Sequence, residues 1–94
     1  MKQLERTTAD LSPDEIVAAL RAAMPGWKPA ITALSDPEGA KIEVCCVDVY
    51  VTLNAAQGVI GVDCWQAHST GPYKTLAVPT LDEAIKLVAA EFDN

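Results

Sequence analysis

The chain has 94 residues, half of them hydrophobic and 21% charged, with 13 acids against seven bases for a formal charge of −6. That size supports one hydrophobic core and no second domain, and the composition excludes disorder over most of the length. The negative charge repels phosphate backbones and anionic bilayers, so neither direct nucleic-acid binding nor membrane binding is expected.

Residues 1–10, MKQLERTTAD, are polar and without a period. They read as a flexible N-terminal arm ahead of a single α+β domain over 11–94. No apolar run approaches the ~20 residues of a membrane span, and none follows the early lysine as in a secretory signal, which points to a cytoplasmic protein. Three cysteines, two of them the adjacent Cys45 and Cys46, do not suggest a disulfide framework and are expected to stay reduced.

In LSPDEIVAALRAAM, Ser12 can cap a helix, Pro13 suits its first turn and Glu15 completes a capping box. Leu11 and Ile16 are placed as a hydrophobic staple. Ile16, Val17, Leu20 and Met24 share one face, and PGWKP ends the element near Met24. Ala30 to Leu34 form a short strand, and SDPEGAK supplies a hairpin turn into residues 41–53. NAAQG reverses the chain into VIGVDCWQA, where Ile60, Val62 and Cys64 alternate with Gly61, Asp63 and Trp65. HSTGPYK is a loop, and TLAV suits a brief further strand. TLDEAIKLVAAEF repeats the capping grammar with Thr80 and Glu83, and its buried stripe is Leu81, Ala84, Ile85, Val88 and Phe92. The expected fold is α-β-β-β-(β)-α, a two-layer α+β sandwich whose antiparallel sheet carries both helices on one face.

KIEVCCVDVYVTLN changes step partway: Ile42, Val44 and Cys46 keep even positions, whereas Val47, Val49, Val51 and Leu53 keep odd ones. A continuous strand with one buried face changes phase only by an inserted residue, so a β-bulge at Cys45–Cys46 is expected, the alternative being two strands meeting at a bend. With the bulge, Ile42, Val44, Val47, Val49, Val51 and Leu53 face the helices, and a bend preserves most of these facings. Glu43, Asp48, Tyr50 and Thr52 face away, joined across the sheet by Asp63 and Trp65.

That outer face is the candidate site. Aromatic anchors rimmed by charge are what protein interfaces favour, so Glu43, Asp48, Tyr50, Asp63 and Trp65 are the candidate protein-interaction residues, against the plainer reading of a solvated sheet face. Cys45, Cys46, Cys64 and His68 invite a metal reading, but adjacent strand residues point to opposite faces and no second Cys-x-x-Cys accompanies them. Cys64 as nucleophile with His68 as base is the enzymatic alternative. It requires His68 to fold back, because i and i+4 on a strand lie about 13 Å apart. Asp48 and Asp63 could sit across from each other, yet no pocket-forming loop accompanies them. The glycines, at 26, 39, 58, 61 and 71, fall at turns and one strand position, without a phosphate-binding pattern. HSTGPYK could hold a small ligand, although loops of this composition are usually only loops. No cofactor or metal is expected, and no catalysis.

The order α-β-β-β-α resembles the double-stranded RNA-binding domain. That family grips phosphates with lysines at the start of its last helix, where TLDEA here places Asp82 and Glu83, so RNA binding is not implied. The short acidic chain, and the ending HSTGPYKTLAVPTLDEAIKLVAAEF with its polar loop leading into a capped amphipathic helix, resemble small phage and prophage accessory proteins of the anti-CRISPR inhibitor type. The resemblance implies stoichiometric occupation of a partner's surface, with Glu43, Asp48 and Asp63 occupying a basic nucleic-acid channel. A homodimer joined through sheet faces or edges is the remaining class.

Overall fold

The computed structural model describes residues 11–35, 38–44, 47–54, 56–66 and 69–92. The expected N-terminal arm, residues 1–10, lies outside them. The elements run α1 (Pro13–Ala23), a 3₁₀ segment (Pro25–Ala30), β1 (Ile31–Ser35), β2 (Glu38–Val44), β3 (Val47–Asn54), β4 (Val59–Gln66), β5 (Lys74–Val78) and α2 (Leu81–Phe92). The five strands form one antiparallel sheet in sequential order, and the TLAV segment supplies its last strand.

Helix α1 starts where its capping box requires. The Ser12 hydroxyl accepts from Glu15 N, and the Glu15 carboxylate accepts from Ser12 N at 2.9 Å. It ends at Met24, whose N–H bonds to Leu20 O. The stretch PGWKP was expected only as a stop, yet it winds into the 3₁₀ segment. Pro25 and Pro29 preset φ for a tight turn and lack the N–H groups that a longer α-helix would need. In α2, Thr80 Oγ1 accepts from Glu83 N at 3.3 Å, and the Thr80 hydroxyl donates toward Glu83 Oε2.

Two helices cover one side of the sheet. α1 packs on β1 and β2, α2 on β4 and β5, and the helices touch each other. The core joins Ile16, Val17, Leu20 and Met24 of the α1 region to Leu81, Ala84 and Val88 of α2. Between them lie Ile31, Ala40, Ile42, Val49, Val51, Ile60, Val62 and Cys64 from the sheet. Leu11, Val44, Val47, Leu53, Ile85 and Phe92 pack around its margin.

The phase change in KIEVCCVDVYVTLN has a different origin from a bulge. Cys45 and Cys46 lie outside the described residues, but the segments flanking them are two strands paired antiparallel with each other, Val44 opposite Val47 and Ile42 opposite Val49. Paired residues share a face, so even positions of one strand meet odd positions of the next. The step in the sequence is therefore the junction of two strands, and the expected facings survive because antiparallel pairing produces the same parity as an inserted residue.

Candidate functional site: the helix-free sheet face

Register turns a list of outward residues into a surface with neighbours. One row across the sheet reads Glu43, Asp48, Trp65, and the next reads Thr32, Lys41, Tyr50, Asp63, Thr75. All five candidate residues lie on this face, opposite the helices.

At its centre, Tyr50 and Trp65 are diagonal neighbours whose ring centroids stand 6.3 Å apart at 70°, an edge-to-face pair. Both are half-buried, each shielding the other while presenting ring surface outward. Lys41 Nζ sits 5.6 Å from the centroid of Tyr50 and 3.8 Å from Glu43 Oε1. The ammonium is thereby shared between a ring and a carboxylate, on a solvent-facing surface where each contact is weak.

The acids are arranged differently from one sequence expectation. Asp48 stands opposite Glu43 on one side and Trp65 on the other, and Asp63 stands opposite Tyr50, so the two aspartates are diagonal to each other across the aromatic pair. Among the described residues, neither Asp48 nor Asp63 makes a side-chain hydrogen bond or ion pair. Among the described residues of this face, three carboxylates against the ammonium of Lys41 leave a net negative charge.

Beside the aromatic row runs a low one: Leu34, Gly39, Thr52, Gly61, Ala77. Thr52 lies between two glycines, and a Cβ at Gly61 would come within 3.2 Å of its Oγ1. The glycines thus occupy two strand positions where one was expected. Their effect is a shallow shelf next to the Tyr50 ring. Neither the shelf nor the part played by Lys41 was legible in the sequence, although Lys41 does share the outward parity of Glu43.

Cys64 belongs to the other side of the sheet. It is 1% exposed within the core. Burial, reinforced by the negative charge of Glu91, pushes its thiol up from the ordinary 9.0. A reactive cysteine needs a lowered pKa and access, and this one has neither. His68, its suggested base, lies outside the described residues, as do Cys45 and Cys46. Among the described residues no cluster of His, Cys, Asp and Glu is suited to hold a metal ion, and no helix is long and apolar enough to cross a membrane. The polar loop before β5 ends in a tie to α2: the Tyr73 hydroxyl donates to Glu91 Oε2 at 2.5 Å, and Lys74 Nζ donates to Glu91 Oε1 at 2.8 Å.

No family model matches the chain, and neither a curated protein nor a solved structure matches it.

Proposed function

We propose that this chain is a non-catalytic protein-binding module that docks its helix-free sheet face onto a basic surface of another protein. The observation that carries the reading is the Tyr50–Trp65 pair flanked by Asp48 and Asp63, two carboxylates without an ion-pair partner among the described residues. Rigid rings provide contact area at low entropic cost, and uncompensated acids steer and select a cationic partner. A flat, negative face of this kind suits a protein that handles nucleic acid, whose own binding surface is basic. Occupying that surface would make the module a stoichiometric inhibitor, as the resemblance to anti-CRISPR-type accessory proteins implies.

The test compares the wild-type chain with Trp65→Ala and Asp48→Lys/Asp63→Lys variants as immobilised baits, followed by titration of the captured partner in purified form. Wild-type chain is expected to hold a basic protein with an affinity that falls as salt rises. Trp65→Ala should weaken it by about 30-fold, the loss of one interface anchor, and the charge reversal should abolish it. Thermal midpoints should stay close to wild type. Equal capture by all three baits would refute the assignment of this face.

A further inference from the structure

Four side chains on the helix-free face form a square. Asp48 pairs with Trp65 and Tyr50 with Asp63 across β3 and β4, so the two rings hold one diagonal and the two carboxylates the other. All four residues are half-buried. A cation over the middle of the square therefore meets rings at two corners and carboxylates at the other two, with less water around it than on an open surface.

The neighbouring corner shows the same chemistry already satisfied. Lys41, from β2, sets its Nζ 5.6 Å from the Tyr50 centroid and 3.8 Å from Glu43 Oε1, an ammonium between one ring and one acid. Asp48 and Asp63 make no ion pair or side-chain hydrogen bond among the described residues. The face thus supplies a cation for Glu43 and none for the two aspartates. We propose that the square takes the guanidinium of an arginine from the partner, in preference to a lysine ammonium, an inference that deepens the docking role proposed for this face and rests on it.

The spacing of the acids selects the head group. Diagonal positions on neighbouring strands stand about 7–8 Å apart, so Asp48 and Asp63 reach toward the middle of the square from opposite corners. A compact ammonium suits one acid and one ring, as Lys41 shows. Two acids on opposite corners call for a wider donor. The planar guanidinium presents N–H groups on more than one edge, donates to two carboxylates at once and lays its face on an aromatic ring.

One side of the square is open to an incoming side chain. The next outward pair along β3 and β4 is Thr52 with Gly61, and Gly61 carries no side chain. Glycine inside a strand weakens it, and the close approach of a ligand is one reason for such a residue to stand there. The aliphatic stem of an arginine can lie along this low row with its head over the square, as long cationic side chains do on apolar surface.

Proton–nitrogen NMR of the intact, nitrogen-labelled chain, titrated with acetyl-Gly-Gly-Arg-Gly-Gly-amide or its lysine counterpart, tests this. The two peptides carry equal charge, so attraction to a chain of −6 is common to both. The arginine peptide is expected to shift the Trp65 indole N–H with a dissociation constant on the order of 1 mM, about fivefold below that of the lysine peptide. The indole of Trp27, packed on Phe92 of α2, should stay in place. Asp48→Asn or Asp63→Asn should bring the two peptides level, because one remaining acid suits an ammonium as well. Loss of negative charge alone would weaken both peptides alike and leave their ratio intact. Equal affinities for the wild-type chain, an unmoved Trp65 indole, or a ratio that survives both substitutions would each overturn arginine selection. Capture of a basic protein that still depends on Trp65 would, in those cases, leave the docking role itself standing.

Discussion

Gly39 sits in β2 opposite Thr52, and a Cβ built there would lie 2.0 Å from the Val51 carbonyl oxygen and 2.8 Å from Thr52 Cα. Both obstacles are backbone, which cannot swing aside as a side chain can. Gly39→Ala is therefore expected to shift the β2–β3 pairing and cost about 1–3 kcal/mol, measured by urea denaturation. Wild-type stability in that variant would show that the strands separate freely at this point. In the sequence Gly39 looks like the end of a turn, since SDPEG carries every signal of one. Its close approach to the next strand depends on which residue lies opposite, and that is not written locally. Gly58 is the contrasting case: its φ of +69° serves the β3–β4 turn, the use that NAAQG suggests.

At the scale of elements, α2 is fastened to β5 by Glu91, which accepts from both Lys74 and Tyr73. The hydrogen bond from Lys74, then that from Tyr73, hold its carboxyl below the ordinary 4.5. A depressed acid contributes stability that is present above its unfolded value and lost as pH falls through its folded one. The partners bound the window from above: Glu91 raises the Lys74 ammonium beyond 10.5 and the Tyr73 hydroxyl beyond 10.0, so their share is present below those values and fades as pH rises past them. Glu91→Gln is expected to lower the thermal midpoint modestly near pH 7, with the difference from wild type shrinking below pH 4.5. Melting curves across that range check it, and a pH-independent difference would mean that Glu91 acts by packing alone. Helix starts were legible because a capping box spans only four residues. The tie was not, since Glu91 lies 17 residues beyond Lys74 and only the return of α2 across the sheet brings them together.

Across the whole molecule, the core connects both helices to four of the five strands. Cys64, a core residue at 1% exposure, reports on how the assembly opens. Alkylation of Cys64, resolved by peptide mass spectrometry from that of Cys45 and Cys46, is expected to be slow in native buffer. It should accelerate in urea in step with the unfolded fraction. Rapid modification in native buffer would instead mark a local opening of β4, and would revive the thiol as a chemical group. The same architecture divides the molecule's surfaces. One face of the sheet is spent on the core, and the other carries the Tyr50–Trp65 pair and its acids.

By itself, the sequence determined both helices, the strand-forming stretches and which of their residues lie inside or outside. Capping residues, a 3.6-residue stripe and a two-residue alternation are local, and burying the apolar set fixes which way each side chain points. It could not determine who stands beside whom. The step at the paired cysteines was compatible with a bulge or a strand junction, because both shift parity by one, and only antiparallel pairing of β2 with β3 distinguishes them. That pairing sets Glu43 opposite Asp48, and the pairing of β3 with β4 sets Asp63 opposite Tyr50 and brings Trp65 edge-on to its ring. Facing follows from a period carried along the chain, whereas adjacency follows from register between segments, and the energy that fixes register belongs to the closed core.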